Sequence, residues 1–256
     1  VAAFDLARRL RAGETIFSGW CNLGSPIVAE LIAREGFPCV TLDRQHGPWD
    51  TAAVFAGISG LYLTGAAAAV RVPLNDFAFV SRALDMGAEA IVAPMINTVD
   101  DARQFANAAK YPPLGERSWG PTRAMPLQGK SNAVEYLREA NEGTITLAML
   151  ETATALANCD AIAATPGIDA LFVGPYDLST ALSNGTAQDI DAPEVNRAID
   201  RICQAAIKAG KIPGIYCRDA ARALAMAKRG FRFIAVGSDG GTVREGAAAQ
   251  MKALKG

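Results

Sequence analysis

His46 is the only histidine in the chain, and it stands three residues after Asp43 in Asp43-Arg44-Gln45-His46. A carboxylate can hold one imidazole nitrogen while the other exchanges a proton with a substrate, so the two form a candidate acid–base dyad. Glu151 and Asp177 each stand at or just past the end of a short apolar run. Two carboxylates suit a hard divalent cation, which prefers oxygen ligands and keeps positions open for water and substrate. With no His or Cys pair beside them, zinc is the less natural ion. Each also has a plainer role, Glu151 in the first turn of a helix and Asp177 as a helix cap.

Arg71 ends an alanine-rich run, Ala66 to Val70. A guanidinium placed there can hold a carboxylate or a developing enolate oxygen, the plainer alternative being a salt bridge. Gly174-Pro175-Tyr176 precedes Asp177, and a glycine at such a point lets backbone amides approach a ligand closely. Other chemistries find no support. The chain has no phosphate-binding loop, no dinucleotide fingerprint and no serine nucleophile elbow, and none of the candidate strand ends carries the lysine that Schiff-base catalysis needs.

Elements that could gather these residues are legible in a recurring phrase: an Ala-rich helical stretch, a glycine, then a short apolar run. It recurs around Gly36, Gly87, Gly210 and Gly230, each glycine suited to end a helix in the left-handed conformation. Ser25-Pro26 reads as a cap and first-turn proline before Ile27, Val28, Leu31 and Ile32, and Thr98 with Asp101 as a capping box before Phe105. Val195, Ile199, Ile202 and Ala206 give one helical face between Pro193 and Lys208.

Strands are expected at Ile16 to Cys21, Cys39 to Asp43, Ala67 to Val72, Ala90 to Met95, Thr144 to Leu150, Ala170 to Gly174, Ile212 to Cys217 and Phe233 to Gly237. Seven helical connections join them, a short helix precedes them, and a last helix runs from about Asp239 to Lys255. Eight strands alternating with helices close into a single (β/α)8 TIM barrel, an α/β fold whose usual length is about 250 residues; the chain, at 256 residues, is read as one domain over 1–256. An open doubly wound sheet is the alternative. In a barrel the catalytic groups stand at the C-terminal strand ends, where Trp20, Asp43, His46, Arg71, Glu151 and Asp177 would converge. Tyr111 to Lys130, rich in Pro, Gly and Arg, breaks the rhythm and reads as a long functional loop, the plainer alternative being a surface loop with no role.

The net charge of −1 is spread along the chain, giving no electrostatic support for a nucleic-acid or membrane partner. Five scattered cysteines without a C-x-x-C pair fit a reducing compartment. No apolar run reaches membrane-span length and the first residues lack the order of a secretion signal, so a soluble, cytoplasmic protein with a small-molecule substrate is expected.

With these residues in hand, the sequence resembles the HpcH/HpaI family of class II pyruvate aldolases from about Gly13 to Leu254. The resemblance rests on Gly19-Trp20, Asp43-x-x-His46, Val70-Arg71, Tyr111-Pro112-Pro113-x-Gly115-x-Arg117, Glu151-Thr152 and Phe172-Val173-Gly174-Pro175-x-Asp177-Leu178. It implies a phosphoenolpyruvate/pyruvate-type barrel that reversibly cleaves 4-hydroxy-2-oxo acids, including 2-keto-3-deoxy sugar acids, to pyruvate and an aldehyde. It implies Glu151 and Asp177 as ligands of a divalent ion (Mg, Mn or Co), with no organic cofactor. Arg71 would steady the keto or enolate oxygen, and the backbone around Gly174, Pro175 and Tyr176 would hold the pyruvate carboxylate. His46 with Asp43 would manage the 4-hydroxyl proton, and Trp20 and Arg123 would complete the substrate contacts. A homohexamer, a trimer of dimers with exchanged C-terminal helices, is also implied. Gln45, Leu150 and the stretch Ser118 to Met125 depart from the commoner family pattern. An acyl-CoA lyase of the citrate-lyase-beta type, and a non-catalytic carboxylate-binding barrel, are the alternative functions.

Overall fold

A computed structural model describes residues 3–255. Eight strands, β1 (Ile16–Cys21), β2 (Cys39–Asp43), β3 (Ala67–Arg71), β4 (Ala90–Ala93), β5 (Ile145–Leu150), β6 (Ala170–Val173), β7 (Ile212–Cys217) and β8 (Phe233–Val236), pair in parallel and in sequence order into a closed barrel. The helices of its first half are α1 (Asp5–Arg11), α2 (Pro26–Arg34), α3 (Thr51–Thr64), α4 (Phe77–Met86), α5 (Val99–Ala109), α6 (Ala124–Leu127) and α7 (Ala133–Gly143). Those of the second are α8 (Ala153–Ala157), α9 (Cys159–Ala163), α10 (Pro175–Leu182), α11 (Pro193–Lys208), α12 (Ala220–Lys228) and α13 (Asp239–Lys255). Closure settles the choice against an open sheet.

Local chemistry explains most boundaries. Gly36, Gly87, Gly210 and Gly230 all have positive φ, as a helix end followed directly by a strand requires. Thr98 and Asp101 form the reciprocal capping box at the start of α5. The α11 face of Val195, Ile199, Ile202 and Ala206 is buried. In α2, by contrast, Ala29 and Ala33 are buried and Ile32 packs partly buried against the core, whereas Ile27 and Leu31 are mostly exposed: the helix has apolar residues on two sides, and only one side meets the sheet.

The strands are buried on both faces, as parallel sheets require. Outward residues meet the helices in one cluster, and inward residues such as Ile16, Leu147, Phe172 and Phe233 fill the barrel. Helix α1 plugs the N-terminal end with Leu6, Ala7 and Leu10, all buried; Leu6 and Leu10 contribute about 1.5–3 kcal/mol each by that burial. Beside the plug, the Glu89 carboxylate accepts the Leu6 N–H at 3.2 Å, and burial pushes its pKa up to about 7. Lys110 is also buried at this end, its Nζ donating to the carbonyls of Asn141 and Thr144 and to Asp169 Oδ2 at 2.6–2.7 Å.

Helix α13 departs from the pattern. Nearly all of it is exposed, including Val243, Met251 and Leu254, and it makes no continuous packing along its own sheet. An apolar groove lined by Phe17, Phe37, Leu224 and Val236 is left open between α2 and α12.

Candidate active site

The barrel mouth holds a cavity of about 250 Å³ lined by Trp20, Asp43, His46, Arg71, Gly174, Pro175, Tyr176 and Asp177. Of the residues expected there from sequence, only Glu151 and Arg123 are not part of its lining. No lysine lines it.

Asp43 and Arg71 are register partners at the ends of β2 and β3. Side by side and buried, they form a bidentate pair: Arg71 donates from Nε to Asp43 Oδ1 at 2.8 Å and from Nη2 to Oδ2 at 2.6 Å. The Trp20 indole N–H also reaches Asp43 Oδ2 at 3.3 Å, and its ring lies 4.8 Å from the guanidinium. Among the described residues Arg71 Nη1 has no hydrogen-bond partner, and Arg71 lines the cavity.

This corrects the expected Asp43–His46 arrangement. Asp43 Oδ1 accepts the backbone N–H groups of Gln45 and His46 at 3.2 and 3.3 Å and does not hold the imidazole. Asp43 lies in the strand, facing its β3 neighbour, whereas His46 has already turned into the loop, where it is exposed on the rim of the cavity. The aspartate shapes the loop that carries the histidine and braces the arginine.

Glu151 directly follows β5, and it lies beneath the cavity, only 2% exposed. Oε1 accepts the Met95 N–H at 2.9 Å, while Oε2 is buried with no partner. Burial pushes this carboxyl up to about 7; Asp177 adds to the rise, whereas the Met95 N–H and Arg71 act against it. Neither plainer role applies: Thr152, not Glu151, caps α8, and Asp177 is the third residue of α10, whose N-cap is Gly174. Gly174 has an ordinary φ of −94°, so its backbone does not require glycine. Space does: a Cβ there would lie 2.3 Å from Glu151 Oε2 and 2.6 Å from Met149 Cε. With no side-chain cap on α10, the first-turn N–H groups of Tyr176 and Asp177 are left at the cavity edge.

These residues fit a divalent cation. They supply hard oxygen donors, one of them a buried carboxylate oxygen otherwise unpaired, beside a space a side chain would fill. No group of three or more His, Cys, Asp or Glu that could hold a metal occurs among the described residues, so an ion on this pair keeps most of its coordination positions for water and substrate.

Arg123 is elsewhere. Its guanidinium donates to Met86 O and, at 2.7 Å, to Ser59 Oγ, and it stacks 4.5 Å over Phe55. The reason is topological: residues 111–130 lie between α5, which returns the chain from the mouth, and α7, which precedes β5, and this puts them at the N-terminal end, away from their own barrel's mouth. The sequence reading missed Tyr216, at the end of β7. Its ring meets Trp20 edge-on at 5.5 Å and lines the cavity with Asn22, Met149 and Ser238; burial pushes its hydroxyl up to about 12. Its strand-end position was the available signal.

A closed β/α barrel that gathers a carboxylate pair, a braced arginine and one imidazole at its C-terminal mouth belongs with the barrel enzymes that act on small molecules. The chain is a member of the HpcH/HpaI aldolase/citrate lyase family, whose model matches residues 17–246. It is 37% identical over 227 residues to a hydroxypyruvate/pyruvate aldolase of Rhizorhabdus wittichii, covering 89% of each chain. It is 36% identical to a 4-hydroxy-2-oxovalerate aldolase of Novosphingobium aromaticivorans, covering 93% of this chain and 89% of that one. The crystal structure of an HpcH/HpaI aldolase from Desulfitobacterium hafniense superposes with a TM-score of 0.91 at 29% identity, covering 99% of this chain and 97% of the other. The protein is an enzyme, a carbon–carbon lyase of the aldolase type.

Proposed function

We propose that the protein catalyses reversible, divalent-metal-dependent aldol cleavage of 4-hydroxy-2-oxo acids to pyruvate and an aldehyde, through one barrel domain spanning the chain. The observation that carries this reading is the unpaired, buried Oε2 of Glu151 beside Asp177, under a cavity into which Arg71 Nη1 is free to donate. Glu151 and Asp177 would hold the ion, with Mg, Mn and Co the candidates, and the ion would supply Lewis-acid stabilisation of charge developing on the 2-oxo oxygen.

The protein's own groups do the rest. Arg71 donates to the same oxygen, and Asp43 fixes the guanidinium so that no reorganisation is needed as charge develops. The uncapped amides of Tyr176 and Asp177, beside Gly174 and Pro175, receive the substrate carboxylate. His46, on the open rim, takes the 4-hydroxyl proton in cleavage and returns it in synthesis, through water. Trp20 and Tyr216 wall the side where the aldehyde leaves.

The exposed apolar residues of α13 and the open groove between α2 and α12 support exchange of that helix with a second copy, in a homohexamer built as a trimer of dimers. A cytoplasmic location is supported by five unpaired, buried cysteines. No helix among the described residues is long and apolar enough to cross a membrane.

The test is pyruvate release across a panel of 4-hydroxy-2-oxo acids, with chelator and with added Mg, Mn or Co. Cleavage that stops with chelator and returns with metal is expected; chelator-resistant cleavage, or none with any substrate, rejects the proposal.

A further inference from the structure

Met95 leaves β4 with φ +56°, a left-handed conformation uncommon for a residue with a side chain. The turn brings the Met95 N–H onto Glu151 Oε1 at 2.9 Å. Its neighbours hold it there. The Asn97 side-chain amide donates from Nδ2 to Met95 O at 3.0 Å and accepts at Oδ1 from the Thr152 hydroxyl. The Thr152 hydroxyl also accepts the Ala155 N–H at 3.0 Å as the cap of α8, so its single proton goes to Asn97, and this fixes which end of the amide faces which partner. Asn158 Nδ2 donates to Asn97 O at 2.8 Å, and the Ile96 N–H bonds Met149 O at 3.1 Å. The turn after β4 is thus tied to residues on either side of Glu151.

We infer that Asn97 is a positioning residue for the cation site: its amide clamps the Met95 carbonyl and with it the left-handed turn at Met95, so that the Met95 N–H engages Oε1 and leaves Oε2 of Glu151 for the ion. The inference rests on the metal-site reading above. Both halves of the amide are needed. Asp at this position could still accept from Thr152 but could not donate to Met95 O, and Ala could do neither. Groups that orient a ligand carboxylate in this way typically change metal affinity by roughly 10–100-fold when removed.

The experiment is titration of the full chain with Mn²⁺, read by calorimetry and by the paramagnetic resonance of free Mn²⁺, well below the thermal transition of each variant. Glu151→Gln serves as the site control. Asn97→Ala and Asn97→Asp should each weaken Mn²⁺ binding by roughly 10–100-fold. Thr152→Ser, which keeps the hydroxyl, should bind close to the parent, and Thr152→Val, which loses it, should follow the Asn97 variants. A merely structural role would lower the melting temperature and leave the affinity of the folded protein unchanged. That result in Asn97→Asp, the nearly isosteric variant, overturns the inference while leaving the metal site standing. Should Asn97→Ala not fold, Asn97→Asp and the Thr152 pair decide the matter. Unchanged Mn²⁺ binding in Glu151→Gln would reject the metal-site reading, and the inference with it.

Discussion

Arg71 lies bidentate on Asp43, its register partner in the neighbouring strand, with both side chains at most 8% exposed. The pair therefore bears on stability as well as on the proposed catalysis. Asp43→Ala leaves a buried guanidinium without its partner and should cost about 3–5 kcal/mol, measured by denaturant unfolding. Arg71→Lys keeps the charge but cannot bridge both carboxylate oxygens, so kcat should fall roughly 10²–10³-fold with a smaller loss of stability. Turnover at the parental rate in Arg71→Lys would remove the guanidinium geometry from the mechanism.

The Glu151 carboxyl, pushed by burial from 4.5 up to about 7, predicts a pH dependence of defined sign. The folded state binds this proton more tightly than the unfolded state does. This group's contribution to the stability of the metal-free protein is therefore fully present below about 4.5 and declines as pH rises toward 7, beyond which it adds no further loss. A cation must displace the same proton, so its affinity rises with pH and levels off above about 7. Glu89 has a similar shift at the opposite end of the barrel. Glu89→Gln should thus flatten the stability profile and leave the Mn²⁺ affinity profile untouched; equal metal affinity at pH 5.5 and 8 would contradict the assignment to Glu151.

For His46→Ala, carbon–carbon cleavage should drop by roughly 10²–10⁴-fold, while exchange of the pyruvate methyl protons with solvent continues, because that step needs enolate stabilisation and not the 4-hydroxyl proton. Proton exchange followed by NMR separates the two. Since Asp43 does not hold the imidazole, Asp43 variants should impair both reactions, and a selective loss of cleavage in them would restore the dyad.

Tyr216 lines the cavity edge-on to Trp20 with a hydroxyl that burial keeps protonated, and in the proposed reaction it faces the aldehyde. Replacing it with Leu removes a hydrogen-bonding group and leaves an apolar wall. The ratio of kcat/KM for polyhydroxylated over aliphatic aldehydes should fall by roughly tenfold or more, with pyruvate methyl exchange unchanged. An unaltered ratio across the panel would place aldehyde recognition elsewhere.

The barrel was largely legible because its signals are local. Four of the phrases that mark helix end and strand start contain a glycine that does adopt positive φ, and β1, β2 and β7 begin and end where the apolar runs do. Other strands differ by one or two residues for identifiable reasons. Thr144 terminates α7 and does not begin β5, and Met95 has left β4 for a left-handed turn. Helix α6, a single short turn at Ala124–Leu127, has too few residues to show a period within the Pro- and Gly-rich segment.

The site was legible as a set of residues and less so as a set of contacts. Strand-end placement picked out Trp20, Asp43, His46, Arg71, Glu151 and Asp177, and all of these but Glu151 line the cavity. Partners four or fewer residues apart looked like the natural pairs, which favoured Asp43 with His46; the register of β2 against β3 gives Asp43 to Arg71, and only the folded sheet contains that information. For Arg123, composition spoke louder than topology, although its place after the helix that follows β4 and before β5 already implied the far end of the barrel.

Position 174 acts through atoms it does not have. Its backbone angles would accept any residue, yet the first carbon of any side chain would land on the carboxylate oxygen assigned to the ion in the proposed reaction. Gly174→Ala should accordingly fold and still fail to load metal, so that a one-carbon insertion separates the architecture of this barrel from its chemistry.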